Sequence, residues 1–76
     1  MPKSNLEKLQ DVVKKLGPDY SVYPNYSGRF MFGETCLGVV GPDVFEIKSA
    51  TRKKGFSNPV VDNMGLDFIV YWPRMK

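Results

Sequence analysis

Histidine is absent from this 76-residue chain. Its absence excludes serine–histidine and cysteine–histidine catalysis, Cys2His2 zinc sites and imidazole pH switches. There is one cysteine, Cys36, so no internal disulfide can form. No apolar run approaches the roughly 20 residues needed to cross a bilayer. The start, Met1-Pro2-Lys3-Ser4-Asn5, lacks the apolar stretch of an export signal. A lone cysteine and no export signal point to a reducing cytoplasm. The length allows a single domain, residues 1–76.

What remains is ordinary for a folded protein: 42% hydrophobic, 25% charged, and a net charge of +3. That is too apolar for a disordered chain. A core this small supplies roughly 3–5 kcal/mol of net stability, and neither disulfide nor Cys/His zinc can assist it. Packing must therefore suffice. The ten aromatics, Tyr20, Tyr23, Tyr26, Phe30, Phe32, Phe45, Phe56, Phe68, Tyr71 and Trp72, provide large buried areas per residue.

The first element reads as a helix. Ser4-Asn5-Leu6-Glu7 is a capping box, and Leu6, Leu9, Val13 and Leu16 form one apolar stripe. Lys14 and Lys15 complement the dipole at its end, and Gly17-Pro18 stops it. Tyr20–Tyr23 is β-prone and ends at Pro24, and residues 25–28 have turn chemistry. Residues 29–32 and 35–40 read as strands joined at Gly33-Glu34 in a two-residue hairpin. Gly38 inside the second run implies a bulge or a close approach by another group.

Residues 42–54 admit two readings. Val44-Phe45-Glu46-Ile47-Lys48 alternates like a strand. A starting proline, acidic residues early, Arg52-Lys53-Lys54 late and a closing Gly55 favour a helix. Val60-Val61 is a short extended piece, and residues 62–65 are turn-like, with Asp62 as an Asx-turn residue. Leu66–Trp72 is a strong strand, apolar enough to lie centrally. The expected class is α+β: an antiparallel sheet of about four strands, two helices packed on one face, element order αβββαβ.

Two stretches resemble a family. Tyr26-Ser27-Gly28-Arg29-Phe30-Met31-Phe32-Gly33-Glu34-Thr35-Cys36-Leu37-Gly38 is similar to a Tyr-Ser-Gly-Arg-Gly-Met-Tyr-Gly-x-x-Cys-x-Gly motif. Met64-Gly65-Leu66-Asp67-Phe68-Ile69-Val70-Tyr71-Trp72-Pro73 is similar to Met-Gly-x-x-x-Ile-Val-Tyr-Trp-Pro. Both motifs occur in small uncharacterised proteins of bacteria, prophages and phages. The resemblance implies a compact domain, often carried by a mobile element, with a helical segment between the motifs. It brings no established activity. Phe30 stands where the family usually has a small residue.

The candidate functional residues are Tyr23, Tyr26, Arg29, Met31, Arg52, Lys53 and Lys54. Arg29 follows a glycine turn beside aromatics, where a guanidinium can clamp a carboxylate or phosphate, or stack on a ring. Its structural role would be pairing with Glu34 or Asp67, or satisfying loop carbonyls. Arg52-Lys53-Lys54, joined by Lys48, forms a basic cluster that is either a recognition patch or a solvated helix end. Tyr23 and Tyr26 are interface-type residues, and Met31 lies across the hairpin strand from the phenylalanines. Cys36 reads as a small buried hydrophobe. No catalytic constellation, metal site or cofactor is expected.

The expected function is a non-enzymatic binding module, phage- or mobile-element-encoded, acting on a host protein such as a defence or regulatory factor. A nucleic-acid or nucleotide binder using Arg29 and Arg52–Lys54 is the alternative. A self-associating domain, a homodimer through an edge strand, is a third. A membrane partner is not expected.

Overall fold

The computed structural model describes residues 3–27 and 33–73. Two helices, α1 (Asn5–Leu16) and α2 (Val44–Arg52), and four strands, β1 (Ser21–Tyr26), β2 (Cys36–Gly41), β3 (Val60–Met64) and β4 (Asp67–Trp72), alternate along the chain. The sheet is antiparallel throughout, in the order β1-β2-β4-β3.

The expected class, strand number and helix placement hold. The element order is αββαββ rather than αβββαβ. The strand expected at 29–32 lies outside the described residues. Among the described residues the fourth strand is 60–64, where only a short extended piece and a turn were expected. The reason is local. The β3–β4 loop is just Gly65-Leu66, with Met64 paired to Asp67. Gly65 has φ 83° and Leu66 is not in the left-handed region, the combination that a two-residue turn with glycine first requires. A glycine-led two-residue loop therefore joins β3 to β4.

β1 also runs further than expected. It passes through Pro24 to Tyr26. An outer strand tolerates a residue that cannot donate, and the register of β1 against β2 breaks between Tyr23 and Tyr26 to accommodate it.

α1 begins as its sequence dictates. Ser4 Oγ accepts the Glu7 N–H at 3.2 Å, and the Ser4 N–H donates to Glu7 Oε1 at 3.4 Å. α2 is shorter than 42–54. Asp43, not Pro42, sets its start: Asp43 Oδ1 accepts from the Phe45 and Glu46 amides at 3.0 and 3.3 Å. Its end closes by bonds from Gly55 N–H to Arg52 O and from Phe56 N–H to Thr51 O, the Schellman pattern that delivers Phe56 into the core.

Strand alternation divides the sheet into two faces. Val22, Leu37, Val39, Val70 and Trp72 face the helices and join Leu9, Ile47 and Phe56 in the main core, with Leu6, Val13, Leu16 and Val44 packed on it. Phe56 and Trp72 rings meet at 5.2 Å with a 50° tilt, a contact worth about 0.5–1.5 kcal/mol beyond burial. Thr51 is the buried polar side chain, and its hydroxyl donates to the Ile47 carbonyl at 2.7 Å, so burial leaves it satisfied. The opposite face holds a second cluster of Cys36, Ile69 and Tyr71, with Tyr26 and Val40 against it.

Glycine permits close approach at two points on β2. A Cβ at Gly41 would lie 2.1 Å from Tyr20 Cδ2, so the Tyr20 ring occupies that space. Gly38 likewise makes room for Ile69 and Tyr71, which is the close approach its sequence position implied.

Candidate functional site

The expected site residues divide between two surfaces on opposite sides of the sheet. Arg52, Lys53 and Lys54 lie together at the end of α2. Tyr23 and Tyr26 lie on the helix-free face. Arg29 and Met31 fall outside the described residues.

The helical surface follows from the pitch of α2. Val44, Ile47 and Thr51 turn inward, so Phe45, Lys48, Ser49 and Arg52, at spacings of three, four and seven, form the opposite stripe. Phe45 is 82% exposed. It lines a shallow depression of about 480 Å³ with Lys48, Ser49, Arg52 and Lys53. A second, about 470 Å³, shares Lys48 and Arg52 and continues over Phe56, Ser57, Asn58 and Pro59. A third, about 370 Å³, lies between the helices, where Val12, Ala50 and Lys15 meet Lys53 and Lys54.

The result is a belt of five cations, Lys15, Lys48, Arg52, Lys53 and Lys54. No carboxylate lines any of the three depressions. The ion pair present among the described residues is elsewhere, between Lys3 and Asp11 at the start of α1. There the contact raises the lysine and lowers the aspartate from their ordinary values, the hydrogen bond between them leading in each.

On the helix-free face three tyrosines form a row. Tyr23 and Tyr26 meet edge-on at 5.9 Å, and Tyr26 tilts over Tyr71 at 4.8 Å. The Tyr26 hydroxyl reaches Asp62 Oδ2 on β3 at 3.5 Å. Burial, then the Asp62 charge, pushes the Tyr26 phenol above its ordinary value. Tyr23 is the exposed member, at 44%.

Asp62 is not the Asx-turn residue expected. It is a β3 residue, and the neighbouring Asn63 takes the turn role by accepting the Gly65 N–H at 2.8 Å. Cys36 is fully buried, and burial pushes its thiol above the ordinary value, the state of an inert core thiol.

Phe45 and Ser49 are the surface residues the sequence does not single out. The available signal was a second helical stripe, Phe45-Lys48-Arg52, opposite the apolar one. A lone phenylalanine in an amphipathic segment is read into the core by default. Among the described residues no group of three or more acidic, cysteine or histidine side chains could hold a metal ion. No described helix is long and apolar enough to cross a membrane. The chain matches no protein-family model, no curated protein and no solved structure.

Proposed function

We propose that this chain is a non-enzymatic binding module of phage or mobile-element origin that docks on an acidic surface of a host protein, with a defence or regulatory factor as the target class. The observation that carries the reading is Phe45, exposed in a depression lined by Lys48, Arg52 and Lys53 and by no carboxylate. Burying a phenylalanine contributes about 1.5–3 kcal/mol. An aromatic anchor with an adjacent arginine is the composition that dominates binding energy at protein interfaces. Surrounding cations steer an acidic partner and set its orientation. The family resemblance supplies the mobile-element setting.

Affinity capture from bacterial lysate on the immobilised chain, run beside Phe45→Ala and Arg52→Glu, tests it. The expected result is a protein retained by the parent and lost from both variants. Recovery of no specific protein, or recovery unchanged by both substitutions, overturns it.

The same belt favours nucleic acid or nucleotide as the second reading, since five clustered cations also suit phosphates. Phosphate binding would weaken steeply with salt, and binding of duplex DNA, whose bases are already stacked, would be indifferent to Phe45→Ala. A gel shift on single- and double-stranded DNA across 50–200 mM salt separates the two.

A further inference from the structure

The two outer strands of the sheet are unlike one another. β1 carries Pro24 and a broken register, devices that spoil pairing with another chain. β3 has no proline, no lysine and no bulge over its five residues, all of which pair in unbroken register with β4.

The hairpin fixes which of its main-chain groups point away from β4. A two-residue loop closes on a pair that exchanges both main-chain bonds, here Met64 with Asp67. Alternation then turns Val60, Asp62 and Met64 toward β4, and turns the N–H and C=O of Val61 and Asn63 outward. The Asn63 N–H accordingly donates to Asp62 Oδ1 at 2.8 Å rather than to a strand. Val60, Asp62 and Met64 share the face of Ile69 and Tyr71. Val60, Val61 and Met64 are exposed.

A second copy is a poor occupant. The antiparallel register that uses Val61 and Asn63 of both copies sets Asp62 opposite Asp62 in a non-hydrogen-bonded pair, the closer kind, at about 4.5 Å between Cα atoms. Like charges directly opposite destabilise. Sliding by two residues one way brings Pro59, which has no N–H, against Asn63. Sliding the other way brings Gly65, a loop residue at φ 83° outside the strand, against Val61. Asp62 thus acts as a guard against self-pairing.

We infer that the outer edge of β3 is a strand-addition site for an extended segment of another protein, carrying Lys or Arg opposite Asp62 and apolar side chains opposite Val60 and Met64. The incoming carbonyl displaces Asp62 Oδ1 from the Asn63 N–H, the released carboxylate oxygen takes the cation, and the flanking apolar groups cover Val60 and Met64. This site lies on β3 and is independent of the reading of α2.

The test is a titration of the full ¹⁵N-labelled chain with two synthetic peptides, Thr-Val-Thr-Lys-Thr-Val-Thr and the same sequence with Glu in place of Lys. The expected result is shift changes and slowed amide exchange at Val61 and Asn63, with the Lys peptide about fivefold tighter. Asp62→Asn, checked for native circular dichroism, is expected to abolish that preference while retaining binding. Equal binding of the two peptides by the parent overturns the inference. So does an absence of protection at Val61 and Asn63, or changes confined to α2. Sedimentation velocity showing the parent chain as a dimer that Val61→Pro dissolves would also overturn it, by making the second copy the occupant.

Discussion

The Tyr26 hydroxyl donates to Asp62 Oδ2 at 3.5 Å, joining the two outer strands across the helix-free face of the sheet. The bond passes over Tyr71, whose ring lies 4.8 Å from that of Tyr26. The reach of a tyrosine thus links residues that the strand order keeps furthest apart.

That contact has a pH signature. The Tyr26 phenol is raised above its ordinary value by burial and by the Asp62 charge. A raised folded-state value means the neutral phenol is favoured on folding. Its contribution is fully present below the unfolded value near pH 10 and is lost as pH rises through the folded value. Tyr26→Phe is expected to cost under about 1 kcal/mol at pH 7. The stability gap between parent and variant should narrow above pH 10, because only the parent ionises there. Urea midpoints at pH 7, 9, 10 and 11 measure this, and a gap that widens with pH contradicts it.

Cys36 should behave as a core atom. It is buried and its thiol is raised by desolvation. Reaction with a disulfide reagent at pH 8 should be slow in the native chain and fast in 6 M guanidinium. Rapid native labelling would show the second cluster to be open.

Gly41→Ala is expected to destabilise by about 1–3 kcal/mol, because a Cβ there collides with the Tyr20 ring. Gly65→Ala, at φ 83° with open space around it, should cost nearer 1 kcal/mol through backbone strain alone. The ordering of the two urea midpoints checks the assignment of cause.

Much of this fold is legible in the sequence where one local signal decides. Ser4 and Glu7 cap α1, Gly55 closes α2, and the apolar run of β4 marks a central strand. What was not legible depended on context. Pro24 reads as a stop, yet an outer strand accommodates it. Asp62-Asn63-Met64-Gly65 reads as a turn, yet only Gly65 and its successor make the loop, and the other three pair with β4. Asp43 displaces Pro42 as the start of α2 because its carboxylate reaches two amides. The site was half legible. Arg52, Lys53 and Lys54 do form one patch, and Tyr23 and Tyr26 do touch, but nothing in the spacing showed that the sheet separates the two groups. Phe45 was hidden because exposure is a property of the packed helix, not of its composition.

Charge reversal should act on association rather than on stability. Arg52→Glu and Lys53→Glu lie on the exposed end of α2, where substitutions usually stay within about 0.5 kcal/mol of the parent. Partner association should slow with each, and the parent's own association rate should fall as salt rises. Stopped-flow rates at 50 and 300 mM salt measure both, and salt-independent rates would remove the cationic belt from recognition.

The most direct test is a calorimetric titration of the protein captured from lysate with parent, Phe45→Ala and Leu66→Ala, the last an apolar residue that is 98% exposed at the far hairpin. Truncating a central aromatic anchor costs about 2 kcal/mol or more, roughly a 30-fold loss in affinity. That loss is expected for Phe45→Ala alone, with Leu66→Ala close to the parent. Phe45→Ala binding within twofold of the parent would contradict docking through α2.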